Sequence, residues 1–111
     1  MDVKTFTDEL LRALADTECF ERVALQTEGS IAHGYAYVQE DLFLRFYFNA
    51  ATGTIAFALI EKQQRIWGLD YDNRRGWHLH PVNNPKEHVR MDAVPVSDIV
   101  AQLRDVLLTR K

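Results

Sequence analysis

Leu42-Phe43-Leu44-Arg45-Phe46-Tyr47-Phe48, then Asn49-Ala50-Ala51-Thr52-Gly53, then Thr54-Ile55-Ala56-Phe57-Ala58-Leu59-Ile60, reads as two strands joined by a tight turn. Leu42, Leu44, Phe46 and Phe48 recur at a period of two, which places them on one face of an extended chain. Phe43, Arg45 and Tyr47 take the other face. Gly53 supplies the left-handed backbone position that closes such a turn. On the return strand Ile55, Phe57 and Leu59 share a face. The same period extends outward from this hairpin. Upstream, Ile31–Gln39 alternates, with Ile31, His33, Tyr35 and Tyr37 opposed to Ala32, Gly34, Ala36 and Val38, and Val23–Glu28 makes a more weakly patterned first strand. Downstream, Lys62-Gln63-Gln64 is a polar turn, Arg65–Tyr71 resumes the alternation, and Trp77–His80 is a short last strand.

Strands joined by such brief connections pair as an antiparallel meander, here of about six strands. One face of that sheet must be covered, and the two ends of the chain provide the cover. The first helix is expected over roughly residues 6–18, with Thr7 as cap, a Phe6–Leu11 staple, Asp8 and Glu9 toward its positive end, and Leu10, Leu11 and Leu14 as its core stripe. The last helix follows Ser97 as cap and Asp98, with Ile99, Val100, Leu103, Val106 and Leu107 on its apolar side and Arg110 and Lys111 at its negative end. Pro81–Pro85 is a loop, since neither proline can donate to a ladder, and His88–Met91 is extended. The fold class is α+β: an antiparallel β-meander flanked by an N-terminal and a C-terminal α-helix, one domain over residues 1–111.

The totals agree with an ordinary folded domain: 47% hydrophobic, 26% charged, formal net charge −3. No apolar run approaches the roughly 20 residues that span a bilayer, and Met1-Asp2-Val3-Lys4 leads into no signal-peptide core. No membrane association is expected. Cys19 has no second cysteine to pair with, which suits a reducing compartment and a cytoplasmic protein. At a helix end rather than a helix start it reads as an inert thiol. The mild net charge hides an asymmetry. Residues 1–61 hold four basic side chains against ten acidic, whereas residues 62–90 hold six basic against three acidic and three of the four histidines. Such a local field attracts anions.

The polar run Asp70-Tyr71-Asp72-Asn73-Arg74-Arg75-Gly76-Trp77-His78-Leu79-His80 concentrates the candidate chemistry. On an extended chain His78 and His80 lie on one side, about 7 Å apart, with Trp77 and Leu79 on the other. His88 and Arg90, two apart, share a face in the same way. Three histidines with Arg74, Arg75 and Arg90 inside 20 residues fit RNA cleavage without a metal. His78, His80 and His88 would serve as acid and base. The arginines would hold phosphate, Asp72 and Asn73 would orient the histidines, and Tyr71, Trp67 or Trp77 would stack a base. Tyr35, Tyr37, Phe46 and Phe48 are expected in the core. A second chemistry uses His78, His80 and either Glu87 or His88 as ligands of a divalent metal such as zinc or manganese, in a hydrolase. No glycine-rich phosphate loop or Gly-x-Ser-x-Gly elbow is present.

Tyr71-Asp72-Asn73, His78-x-His80, His88 after a proline-bearing loop, and a closing amphipathic helix resemble the TumE-type toxins of toxin–antitoxin systems. The likeness covers about 40 residues, from Tyr71 to Leu107. It implies a small α+β nuclease-like toxin, a cognate antitoxin as partner, and Asp72, Asn73, His78, His80 and His88 at the site. The chain departs from the family where Asn83-Asn84 and Lys86 thin the histidine stretch and Arg90 stands in place of a histidine. The leading expectation is therefore a toxin-like, RNA-directed protein acting as a metal-independent ribonuclease. The alternatives are a non-catalytic interaction module docking a protein on the sheet or on the strand Arg65–Tyr71, and the metal-dependent hydrolase. A homodimer is compatible with each.

Overall fold

The computed structural model describes residues 1–72, 76–80, 89–90 and 95–109. In chain order the elements are α1 (Val3–Thr17), β1 (Arg22–Glu28), β2 (Ile31–Gln39), β3 (Leu42–Asn49), β4 (Thr54–Glu61), β5 (Gln64–Asp72), β6 (Gly76–His80), β7 (Val89–Arg90) and α2 (Val96–Thr109). The α+β class holds. The strands form one antiparallel sheet in simple sequence order from β1 to β7. The strand beyond the expected six is the Val89–Arg90 pair, hydrogen-bonded to β6.

Turn chemistry explains the meander. Gly29 (φ 59°) turns β1 into β2, and Gly53 (φ 74°) turns β3 into β4, its N–H donating to the Asn49 carbonyl at 2.8 Å. Between β4 and β5 the loop is only Lys62-Gln63, both at positive φ (51° and 68°), between the paired Glu61 and Gln64. A two-residue loop with both residues left-handed matches the twist of an antiparallel pair.

Both helices lie on one side of the sheet. The rows facing them are Ala32, Phe48 and Ile55; Gly34, Phe46, Phe57 and Leu69; and Ala36, Leu44, Leu59 and Trp67. Phe6, Leu10 and Leu14 of α1 meet these rows fully buried, and the Phe6 ring stacks on Phe48 with centroids 4.5 Å apart. Val96, Ile99, Val100 and Leu103 of α2 complete the core. Each such side chain contributes about 1.5–3 kcal/mol by leaving water.

The helix boundaries correct the expectation. Helix α1 begins at Val3, capped by Asp2, whose carboxylate accepts the Thr5 N–H at 2.8 Å. Thr7 is not the cap; it is buried inside the helix, its hydroxyl donating to the Lys4 carbonyl at 3.0 Å. Asp8 and Glu9 fall beyond the first turn, and Leu11 is exposed instead of stapled to Phe6, because the buried stripe runs Phe6, Leu10, Leu14. Helix α2 starts at Val96. The Pro95 carbonyl accepts the Ile99 N–H, so Ser97 sits inside the first turn instead of capping it. Arg110 and Lys111 lie outside the described residues. Among the described residues no helix is long and apolar enough to cross a membrane.

Candidate functional site

With the helices on one side, the opposite face of the sheet is open among the described residues, and its side chains follow register rows about 7 Å apart. The first row runs through Glu28, Ile31, Asn49 and Thr54. The second holds Gln26, His33, Tyr47, Ala56 and Asp70, and the third Ala24, Tyr35, Arg45, Ala58 and Gly68. The fourth comprises Arg22, Tyr37, Phe43, Ile60 and Arg65. Ala56, Ala58 and Gly68 give the middle of this face a low floor. Around them His33, Tyr35, Arg45, Tyr47, Arg65 and Asp70 rise as walls of an open trough of about 700 Å³. That volume lies in the range of small-ligand sites.

Charge changes along the strand direction. Glu28 and Asp72 border the trough at one end, while Arg45 and Arg65 border it toward the other. A bulge aims Arg65 there. Leu59 pairs with Trp67 but Ile60 pairs with Arg65, leaving Ile66 as the extra residue. Without that insertion Arg65 would share the core-facing side of Trp67; with it, the guanidinium reaches the open face. Arg45 is exposed, and its side chain has no hydrogen-bond or ion-pair partner among the described residues.

Beside Arg45 the open face is aromatic. Tyr35 is 39% exposed and meets Phe43 edge-on at 5.5 Å, while Tyr37 lies 5.3 Å from Phe43. The Arg22 guanidinium covers the Tyr37 ring at 4.1 Å. Tyr47 is held at the trough wall by Asn49, whose amide donates to the phenolic oxygen at 3.3 Å. Asn49 is itself fixed by the Ser30 hydroxyl and the Ala51 N–H. These tyrosines correct the sequence expectation: Phe46 and Phe48 are core, but Tyr35 and Tyr37 belong to the open face. Trp67, by contrast, is 3% exposed and unavailable for stacking a base.

The sequence-predicted residues divide into three groups. Tyr71 and Asp72 are half-buried on β5 and border the trough. His78 and His80 stand on β6 with their backbones in register with Asp70 and Gly68, the residues of the second and third rows, and Arg90 pairs with His78 from β7. Asn73, Arg74, Arg75, Glu87 and His88 lie outside the described residues. The strand Arg65–Tyr71 is not an exposed docking edge, because β5 is paired to β4 on one side and β6 on the other. Among the described residues no three His, Cys, Asp or Glu side chains gather as a metal site. Cys19 is half-buried just past α1, its N–H donating to the Thr17 hydroxyl at 3.1 Å.

Sequence reasoning missed His33, Tyr35, Arg45, Tyr47 and Arg65. The signal was present in the facing sets His33/Tyr35/Tyr37 and Phe43/Arg45/Tyr47 and in the small residues Ala56, Ala58 and Gly68, which leave a recess. Periodicity alone does not say which side the helices cover. Compared with known protein families, curated proteins and solved structures, the chain matches none of them, and the reading of this face rests on its own geometry.

Proposed function

We propose that this protein is a toxin-like, RNA-directed protein that seats single-stranded RNA across the open sheet face and cleaves it without a metal. The observation that carries the reading is the juxtaposition, on the sheet face away from the helices, of the exposed Arg45, without a side-chain partner among the described residues, and the exposed Tyr35 beside a trough of ligand size. Single-stranded nucleic acids are held by cations along the backbone and by aromatic rings under the bases. Arg45 and Arg65 supply the former, Tyr35 and Tyr47 the latter. The resemblance of Tyr71–Leu107 to TumE-type toxins points the same way.

In this reading one histidine of the set His78, His80 and His88 takes the proton of a 2′-hydroxyl as O2′ bonds to the adjacent phosphorus. A second gives a proton to O5′ as the P–O5′ bond breaks, leaving a 2′,3′-cyclic phosphate and a free 5′-hydroxyl. Arg74, Arg75 and Arg90 offset the charge on the phosphoryl oxygens, Tyr71 helps bind the substrate, and Asp72 and Asn73 orient the imidazoles. Incubating the purified chain with labelled single-stranded RNA in EDTA tests this. Cleavage is expected, its loss in the His78→Ala/His80→Ala double variant, and weaker RNA binding in Arg45→Ala. Cleavage that survives the double variant refutes the catalytic assignment.

The acidic end of the trough favours a second reading. Glu28, Asp70 and Asp72 repel phosphate but suit a basic peptide, so a non-catalytic module gripping a partner such as a cognate antitoxin would use that end. Tight peptide binding abolished by Asp70→Lys, with no RNA binding, decides for it.

A further inference from the structure

Strand β1 is the outer strand of the sheet, with β2 on one side and no strand on the other among the described residues. Six of its seven residues are exposed, and Val23 is a large apolar side chain 37% in contact with water. Natural edge strands are blunted by proline, charged side chains (lysine above all), bulges, inward charges or shortness. Arg22-Val23-Ala24-Leu25-Gln26-Thr27-Glu28 has no proline, lysine or bulge, its two charges, Arg22 and Glu28, stand only at its ends, and its register with β2 runs unbroken over all seven residues. The opposite edge, β7, is two residues long among the described residues.

We propose that this edge is the interface of a homodimer in which β1 of two copies pairs antiparallel about Leu25, joining the two sheets into one. Overlap selects the centre, and backbone direction gives the bonded groups. The Ala24 carbonyl faces β2, where a Cβ on Gly34 would run into it. By alternation the N–H and C=O groups of Val23, Leu25 and Thr27 face away from β2. A two-fold axis in an antiparallel pair passes through one residue of each copy, and pairing these outward residues with one another supplies the inter-chain hydrogen bonds. Leu25 is the middle one of the three and gives the longest overlap. About six inter-chain backbone hydrogen bonds result.

Side chains agree with this register. Leu25 meets Leu25 of the partner subunit and Val23 meets Thr27 of the partner subunit on the helix side. On the open face Arg22 stands opposite Glu28 of the partner subunit, and Glu28 opposite Arg22 of the partner subunit. A self-complementary patch of this kind is what a closed two-fold dimer requires. Glu28 has no side-chain partner among the described residues, and the Arg22 pairing with Glu40, at 3.2 Å, is exposed and weak. The charge change across the open face also fits. The acidic row of one copy abuts the basic row of the other, and Arg22 of the partner subunit joins the acidic mouth of the trough. A seven-residue strand pair is smaller than a standard interface, so association falls at about 1–100 μM.

Sedimentation of the full chain across that range tests the proposal. A concentration-dependent dimer is expected, weakened at least about tenfold by Glu28→Arg and by Arg22→Glu, each of which faces like charges across both ends. Far-UV circular dichroism confirms that the variants fold. Mixing the two variants restores association, because every 22–28 pair is then opposite in charge. Amide exchange at Val23, Leu25 and Thr27 slows with concentration in the parent chain. A chain that stays monomeric at about 1 mM, or a dimer indifferent to both reversals, overturns the proposal.

Discussion

Replacing Gly34 with Ala tests how closely β1 lies on β2. Gly34 is not at a positive φ, so Ala meets no backbone strain there, and reducing the freedom of the unfolded chain would by itself stabilise the fold by about 0.4–1 kcal/mol. The native packing opposes this. A Cβ at position 34 would collide with the Ala24 carbonyl oxygen, stand 3.0 Å from the Ala24 carbonyl carbon and 3.1 Å from the Leu25 Cα. All three obstacles are backbone and cannot rotate aside as a side chain would. Strand β1 must move away from β2 or the β1–β2 ladder must break locally, at the usual overpacking cost of about 1–3 kcal/mol or more. The collision outweighs the entropic gain, for a net loss of about 1–2 kcal/mol and a fall in melting temperature of several degrees. Urea unfolding followed by tryptophan fluorescence, with Trp67 fully buried in the core, measures it. A Gly34→Ala protein as stable as its parent would refute the close approach. The backbone direction assigned to β1, and with it the set of amides that pair across the dimer, would fall too.

Three further outcomes follow from single features. Lys62→Asn with Gln63→Gly relieves two left-handed residues in the β4–β5 turn and should raise stability by about 1–2 kcal/mol, read as a higher urea midpoint at unchanged slope. The Thr5 N–H holds the Asp2 carboxyl below its ordinary range. The stabilisation from that cap is therefore complete above the ordinary carboxylate range and lost as pH falls through the lowered folded value. Asp2→Asn, which still caps, should flatten that part of the acid limb in thermal melts, and an unchanged limb counts against the cap. Ala56→Leu raises the trough floor from the open side. It should leave stability within about 0.5 kcal/mol while weakening RNA or peptide binding at least about tenfold; unaltered binding would remove the trough as the site.

Much of the architecture is legible in local pattern. The alternation of Leu42, Leu44, Phe46 and Phe48 defines a strand because only an extended chain puts every second residue on one side. Connections as short as Lys62-Gln63 leave an antiparallel neighbour as the nearest partner. Helix ends are less legible. Thr7 and Ser97 look like caps because hydroxyls cap well, yet Asp2 and the Pro95 carbonyl take those positions. A cap depends on where the packed stripe starts, and Phe6 moves that start upstream. The site was half legible. Asp72 and Tyr71 were found from polar density, whereas Arg45, Tyr35 and Tyr47 were hidden inside strands that look wholly structural.

The sequence by itself determined the strand set, the order of the meander and the two covering helices, because these rest on period, turn length and amphipathicity within a few residues of chain. Only the tertiary structure decided which face of the sheet the helices occupy and where Ile66 bulges to carry Arg65 across. Those outcomes depend on contacts between residues far apart in sequence, Phe6 on Phe48 among them, where the free energy of burial selects one of two faces that local pattern leaves equivalent.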